Sequence, residues 1–453
     1  MQDKTVYEDI SSPTVSTTAA FIVITIAAKE NRKVVKIDVP GAYLKADIGK
    51  EEVLMRLNRL ETELLAQIDP SYRECINPDG SCIVRLKKAL YGLVESAKLW
   101  FEDLSKTLVG LGYKSNPMEP CVFNLEKDGA QSTIAVHVDD LLITSVSQGL
   151  IDYTVQGLTE RYGPLAPEHG PTLSYLGMTL DFSKSGEAKI TMEGYTSDLL
   201  DFANISGKAA TPALSDLFEI DEKSEALSSE DKDYFHSLTA KLLNLAKRTR
   251  PELCPLVSFL TTRVQCSTAQ DMAKLERGIR YLNAEPNLGI ILRADEDMKI
   301  LAYIDASFGV HSNGMSHTGS LVSLGGGPVY HKSTKQRIVT KSSTEAELVG
   351  LSDSVSQVIW TRDFLLAQGY QIGAATCYQD NKSTIIMANK GRSTSERTRH
   401  INVRFFFIKD RIASGEVELK YIPTGEMTAD ILTKPLQGEL FRRLRDKLLG
   451  YSR

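Results

Sequence analysis

The chain has 453 residues, is 42% hydrophobic and 25% charged, and carries a net charge of −5. That balance excludes disordered, collagen-like and coiled-coil classes, and the length suffices for roughly two to four domains. The longest apolar run, Ala19–Ala28, is ten residues broken by Thr25, whereas a bilayer span needs about 20, so it reads as a buried segment and no membrane partner is expected. Near Met1 no basic stretch, apolar core and small-residue cleavage site occur together, so no secretory signal is expected. The six cysteines never form a C-x-x-C pair, which argues against a zinc cluster or a disulfide framework and for buried thiols in a reducing compartment.

Charge is unevenly spread. Residues 1–150 hold 17 Lys and Arg against 21 Asp and Glu, residues 151–298 hold 15 against 23, and residues 299–453 hold 21 against 14. The basic final third points to a polyanion partner there.

In chain order, Ala19–Glu30 reads as a buried helix and Val34–Val39 as a strand stopped by Pro40-Gly41. Ser96–Leu111 is helical by its i, i+4 pattern of Leu99, Trp100, Leu104 and Leu108. Ile134–Val138 and Leu141–Thr144 flank Asp139-Asp140 and predict a hairpin with the two aspartates as its tip. Residues 215–233 are rich in Asp, Glu, Lys and Ser and are expected to form an acidic linker. Helices are expected over 234–245 and 272–282. From 299 a new α/β unit opens: strands near 299–309, 317–324 and 328–341, a helix 344–358, a strand 375–379, helices near 382–390 and 402–413, a strand 416–422 and a final helix beginning at Thr428.

Each half places carboxylates at strand ends. A lone strand-end Asp is usually a turn former. Adjacent Asp139 and Asp140 between two apolar runs repel one another unless a cation neutralises them. If Asp38 meets that tip, three carboxylates converge. Oxygen-only ligation suits Mg²⁺, and two such ions about 3.5–4 Å apart can clamp an in-line phosphoryl displacement.

Lys36-Ile37-Asp38-Val39-Pro40-Gly41-Ala42-Tyr43-Leu44, Leu86-Lys87-Lys88-Ala89-Leu90-Tyr91-Gly92-Leu93 and Val136-His137-Val138-Asp139-Asp140-Leu141-Leu142 resemble the palm motifs of copia-type retrotransposon reverse transcriptases. Thr172–Met178 resembles the family's next landmark, and Ala246–Glu252 its connection segment. The resemblance implies that Asp38 and Asp139 ligate two Mg²⁺ ions (Mn²⁺ being an alternative) with Asp140 beside them. It implies that Tyr43 excludes a ribose 2′-OH, where the residues alone suggest a core aromatic. It places Tyr91 and Gly92 against the nascent base pair and template. The chain departs from the family at His137, where Tyr is common, and at Val94–Lys98, where a basic stretch has become partly acidic.

Asp305 in Tyr303–Ser307, Glu347 in the helix opened by Lys341–Leu348, Asp380 in Gln379–Asn381 and Asp430 in Thr428–Pro435 follow the order of a ribonuclease H site in the same elements. By that resemblance they form a second two-metal site cleaving RNA in an RNA–DNA hybrid. Ser343 or Thr344 is the expected N-cap of the helix, and Glu345 is expected to face solvent or cap. Arg392, Arg397, Arg399, His400, Arg404, Lys409 and Arg411, interleaved with Phe405–Phe407, form a basic stretch. It reads as a solvated helix face or as phosphate contact to the hybrid.

The expected architecture is therefore an α+β polymerase palm and thumb with incomplete fingers over 1–214, the linker 215–233, a helical connection over 234–298, and a ribonuclease H-like α/β unit with a mixed sheet over 299–453. The implied partners are an RNA template, a DNA primer, RNA–DNA hybrids and deoxynucleoside triphosphates. The implied location is cytoplasmic, in a virus-like particle, or nuclear. A non-catalytic nucleic-acid-binding relic and a nuclease with a silent polymerase half are the alternatives. Before Asp38 stand five cations (Lys4, Lys29, Arg32, Lys33, Lys36) against four anions (Asp3, Glu8, Asp9, Glu30), a nearly neutral surround for a polyphosphate. In the family a basic fingers region precedes this point, so weak polymerase activity is expected of this chain alone.

Overall fold

The computed structural model describes residues 12–48, 52–390 and 402–452. Arg392, Arg397, Arg399 and His400 of the basic stretch lie outside the described residues.

Three larger sheets organise the chain. The first is antiparallel and six-stranded, in the order Lys114–Asn116, Glu119–Lys127, Ala130–His137, Asp140–Ser145, Lys33–Asp38, Glu168–His169. The second runs Gly325–Gly326, Ile290–Ala294, Ala188–Thr191, Met178–Asp181, Thr172–Tyr175. The third runs Pro328–Lys335, His317–Ser323, Leu301–Ser307, Ala375–Gln379, Val417–Tyr421. In the third, the first two pairings are antiparallel and the last two parallel. It is the mixed sheet expected of the last unit.

The apolar run forms the helix Thr17–Lys29, N-capped by Ser16, whose side chain accepts from the Ala19 amide. Every residue from Ala19 to Ala28 is buried. A helix apolar all round must be enclosed on all sides, and this one packs against the strands Ile290–Ala294 and Pro328–Lys335 as well as the first sheet. Each large aliphatic side chain so enclosed contributes about 1.5–3 kcal/mol. The segment that suggested neither a membrane nor a site is what joins the sheets.

Residues 215–233, the expected linker, are mostly exposed but anchored: Leu217 is fully buried, Phe218 packs on Phe259, His311 and His317, and a helix runs from Ser229 to Ala246. The units are joined by shared sheet pairing. The second sheet hydrogen-bonds strands from before residue 214 to one from 290–294 and one after 299. The first sheet also touches the long helix Ser343–Ala367 and its C-terminal turn. Trp360 Nε1 donates to the Met118 carbonyl (3.2 Å), Gln131 Nε2 to the Gln368 carbonyl (2.9 Å), and Tyr370 to Glu30.

In the connection, Arg250 and Glu252 are wholly buried as an ion pair of 2.6 Å. Arg250 also donates to the Glu285 carbonyl (2.8 Å) and lies 5.5 Å from the Tyr281 ring. No described helix is long and apolar enough to cross a membrane.

Candidate functional sites

The strand Lys33–Asp38 lies antiparallel to Asp140–Ser145 with Asp38 opposite Asp140. Just beyond, the Val39 amide donates to the Asp139 carbonyl (3.1 Å). Asp38 therefore does meet the hairpin tip. The tip is shifted from the expected one: His137 pairs with Asp140, so the two-residue loop is Val138-Asp139 and Asp140 begins the returning strand. Val138 takes the first loop position with φ 58°, a left-handed backbone that a β-branched residue adopts only when its surroundings hold it there. Trp100, fully buried on the helix Ser96–Gly110, donates from Nε1 to the Val138 carbonyl at 2.7 Å. Its i, i+4 signal showed that it would be buried, and gave no hint of this bond.

Partial desolvation raises the Asp38 carboxyl above the usual range although the residue is exposed, and Asp139 and then Asp140 raise it further by like-charge repulsion. Asp140 faces a partner of its own, Lys36, at 3.4 Å. Lys36 also reaches Glu168 at 3.8 Å. Tyr43 stands beside this cluster in ring contact with Tyr91, centroids 4.4 Å apart. Burial and then Asp139 raise both hydroxyls. Tyr43 is partly buried and packs against the edge of the hydrophobic core, while Tyr91 is exposed. Gly92, with φ 97°, turns the chain away after Tyr91.

The second site sits at one end of the third sheet. Asp305 is on the central strand opposite Gly319. Asp380 follows the strand Ala375–Gln379, and Asp430 lies in the short 3₁₀ turn Thr428–Leu432. The last α-helix does not begin at Thr428 as expected but at Gly438. The intervening turn can approach the sheet because position 319 is glycine, where a Cβ would stand 2.7 Å from the side chains of Leu432 and Thr433. Ligand oxygens of Asp305, Asp380 and Asp430 all lie within 4.8 Å of one another, the sole such group of three among the described residues.

Glu347, on the packed face of the helix Ser343–Ala367, is buried beside them. Its carboxyl is raised well above the usual range by burial, then by Asp305 and Asp380, and one of its oxygens has no hydrogen-bond partner. Burial and then Asp305 push Asp430 up to about 7. The N-cap of that helix is Ser342, one residue before the expected Ser343, and Glu345 turns back to accept from the Lys341 amide (2.7 Å).

Three further side chains close the cluster. Lys434 Nζ lies 2.8 Å from Asp430 and 3.3 Å from Asp305. Burial lowers its ammonium, but the two aspartates outweigh burial and hold it above the ordinary lysine range. Thr433 donates to Asp305, and Thr424 donates to Asp380 at 2.8 Å. Lys434 and Thr433 sit within the quoted motif around Asp430, four and three residues on. Only the 3₁₀ turn reveals that they point inward. Clustered carboxylates and an orphaned buried oxygen are the donor set a hard divalent cation fits, and the Lys434 ammonium meets two of those acids in this structure.

Comparison with known proteins follows the same division. Residues 2–214 match the family described as reverse transcriptase (RNA-dependent DNA polymerase). The retrovirus-related Pol polyprotein from transposon RE2 of Arabidopsis thaliana is 28% identical over 448 residues, covering 98% of this chain and 29% of that protein. That from transposon RE1 of the same plant is 27% identical with the same coverage. That from transposon TNT 1-94 of Nicotiana tabacum is 24% identical, covering 97% of this chain and 32% of the relative. The chain thus spans about three-tenths of the length of these relatives. A solved ribonuclease H1 isolated from compost aligns with 30% of this chain and 92% of its own, at 16% identity and a TM-score of 0.24, too low for the superposition to bear on function. Residues 2–214 thus match the reverse transcriptase (RNA-dependent DNA polymerase) family, in a chain similar along nearly its whole length to the Pol polyproteins of copia-type transposons.

Proposed function

We propose that this chain is an RNA-directed DNA polymerase and a ribonuclease H in one covalent unit, acting on a primed RNA template with deoxynucleoside triphosphates and on the RNA–DNA hybrid that results. The carrying observation is that one chain holds both a reverse-transcriptase-family sheet with Asp38 against the Val138-Asp139 turn and a separate mixed sheet whose acids converge within 4.8 Å.

In the polymerase half, Asp38 and Asp139 would hold divalent cations, Mg²⁺ or Mn²⁺, with Asp140 in the adjoining register. Tyr43 and Tyr91 form the aromatic wall on which a nucleotide's sugar and base would rest. In the nuclease half, Asp305, Asp380 and Asp430 would hold the cations, and Glu347 supplies the remaining carboxylate. Bound cations would supply Lewis-acid stabilisation of the phosphoryl charge in both reactions. Lys434 balances Asp305 and Asp430 when that charge is not otherwise met. The reading carries with it a location where the element's RNA is copied, cytoplasmic or nuclear.

A second reading, a nuclease with a silent polymerase half, is favoured by one observation: the polymerase acids do not draw together as the nuclease acids do, and Asp140 is taken by Lys36. Purified full chain, assayed for primer extension on an RNA template and for hybrid cleavage, separates the two. Extension abolished by Asp139→Asn supports the dual enzyme; cleavage without any extension leaves the nuclease alone. Absence of both activities in folded protein overturns both readings.

A further inference from the structure

A cavity of about 780 Å³ lies away from both acidic clusters. It is a groove on the last unit. Its floor is the outward face of the helix Ser343–Ala367, one wall is the edge strand Pro328–Lys335 with the loop that follows, and the other is the helix Asn402–Ala413. None of Asp305, Glu347, Asp380 and Asp430 lines it.

Its charge is one-sided. Lys332, Lys335, Arg337 and Arg404 line it against a single carboxylate, Asp353. Arg404 is already paired with Asp353. Among the described residues, Lys332, Lys335 and Arg337 make no ion pair, and Lys332 and Arg337 are exposed. Three uncompensated cations along one wall of a concave surface hold a field that favours a chain of anions over a single one. The opposite wall presents the partly buried ring of Phe407. A basic wall facing an aromatic one is the arrangement that binds a single nucleic-acid strand, phosphates to the cations and a base against the ring. The volume takes a few nucleotides of one strand and falls far short of a duplex.

We propose that this groove is a binding site for single-stranded nucleic acid, separate from both acidic clusters and independent of whether either is catalytically active. On the full chain, it would hold a strand that has left, or not yet entered, the duplex-handling surfaces.

The test compares wild type with a Lys332→Glu/Lys335→Glu/Arg337→Glu variant and with Phe407→Ala, by fluorescence anisotropy with a single-stranded oligonucleotide and, separately, an RNA–DNA hybrid. The triple variant is expected to bind the single strand at least about tenfold more weakly at low salt. Its slope of log affinity against log salt should fall by about 2, three phosphate contacts at roughly 0.7 each. Phe407→Ala is expected to weaken single-strand binding without changing that slope. Hybrid affinity should change by less than single-strand affinity in both. Near-ultraviolet circular dichroism verifies folding. An unchanged single-strand affinity and slope in folded triple variant overturns the proposal, as does an equal loss on the hybrid, which would make the groove a duplex contact. Because these readouts are binding, failure of the catalytic reading leaves them interpretable.

Discussion

The two acidic sites handle like charge in opposite ways, although both are built from aspartates at strand ends. In the polymerase half, Asp38 is exposed, and Asp140 is answered by Lys36 from the neighbouring strand. Solvent and one ion pair disperse the repulsion, so the acids need not be close. In the nuclease half, Asp305, Glu347 and Asp430 are buried, three acids lie within 4.8 Å, and a lysine is drawn onto two of them. There the low dielectric magnifies repulsion and leaves a cation as the natural remedy. The cluster of Asp305, Asp380 and Asp430 is thus assembled by the fold itself, whereas the acids around the Val138-Asp139 turn are spread apart.

The strongest attack on this comparison is a pair of reciprocal substitutions. Asp305→Asn should lower hybrid cleavage by about 10³-fold, some 4 kcal/mol of transition-state stabilisation, yet leave hybrid binding nearly intact because phosphate contacts come from Arg and Lys. Asp139→Asn should do the same to primer extension and spare cleavage. Crossed effects, each substitution impairing both activities, would show that the sites are not separable.

Next in size is the buried Arg250–Glu252 pair of the connection. Arg250→Met leaves Glu252 charged and buried with only the Tyr281 hydroxyl (3.3 Å) to answer it, a loss of about 3–5 kcal/mol of stability, read as a lower midpoint in urea. Both activities should fall together. The double change Arg250→Met/Glu252→Gln should recover part of the loss, since no uncompensated charge remains.

Acid stability sharpens the comparison differently. Burial depresses His317 to about 3 and His311 and His331 to about 4. Their folded values lie below the unfolded one, so between about pH 4 and 6.5 the unfolded chain binds more protons and stability rises with pH. The raised carboxyls of Asp430 and Glu347 act in the opposite sense over the same window, but the three histidines outnumber them, so thermal midpoints should fall modestly as pH drops below about 6.5. His317→Gln should flatten that limb; an unchanged slope would show that other groups control it. All three histidines are in the nuclease unit, so its unfolding should lead.

The smallest effect belongs to the polymerase turn. Trp100→Phe keeps the ring packing and removes the donor to the Val138 carbonyl, about 1 kcal/mol. Primer extension should drop several-fold through kcat, hybrid cleavage should not move, and rescue is not expected from extra Mg²⁺. Unaltered extension would show that the left-handed Val138 is held by other contacts.

Much of this was legible in the linear chain, for physical reasons. Apolar patterning located the strand Ala375–Gln379 and the helices Lys382–Lys390 and Ser96–Gly110, because burial on one face imposes a repeat, and an unbroken apolar run located the buried helix around Ala19–Ala28. Strand-end aspartates could be listed in order, since a carboxylate ending an apolar run is visible without its neighbours. Tertiary structure decided what periodicity cannot encode. That Leu217 and Phe218 anchor an acidic stretch depends on receptors at Phe259, His311 and His317, distant in sequence. The hairpin tip at Val138-Asp139 is set by cross-strand register and by Trp100, against the intrinsic preference of valine. The approach of Asp430 to Asp305 requires glycine at 319 on a neighbouring strand. Sequence alone determined which residues could carry charge; only the packing fixed which of those charges share a low dielectric, and hence which carboxyls are raised.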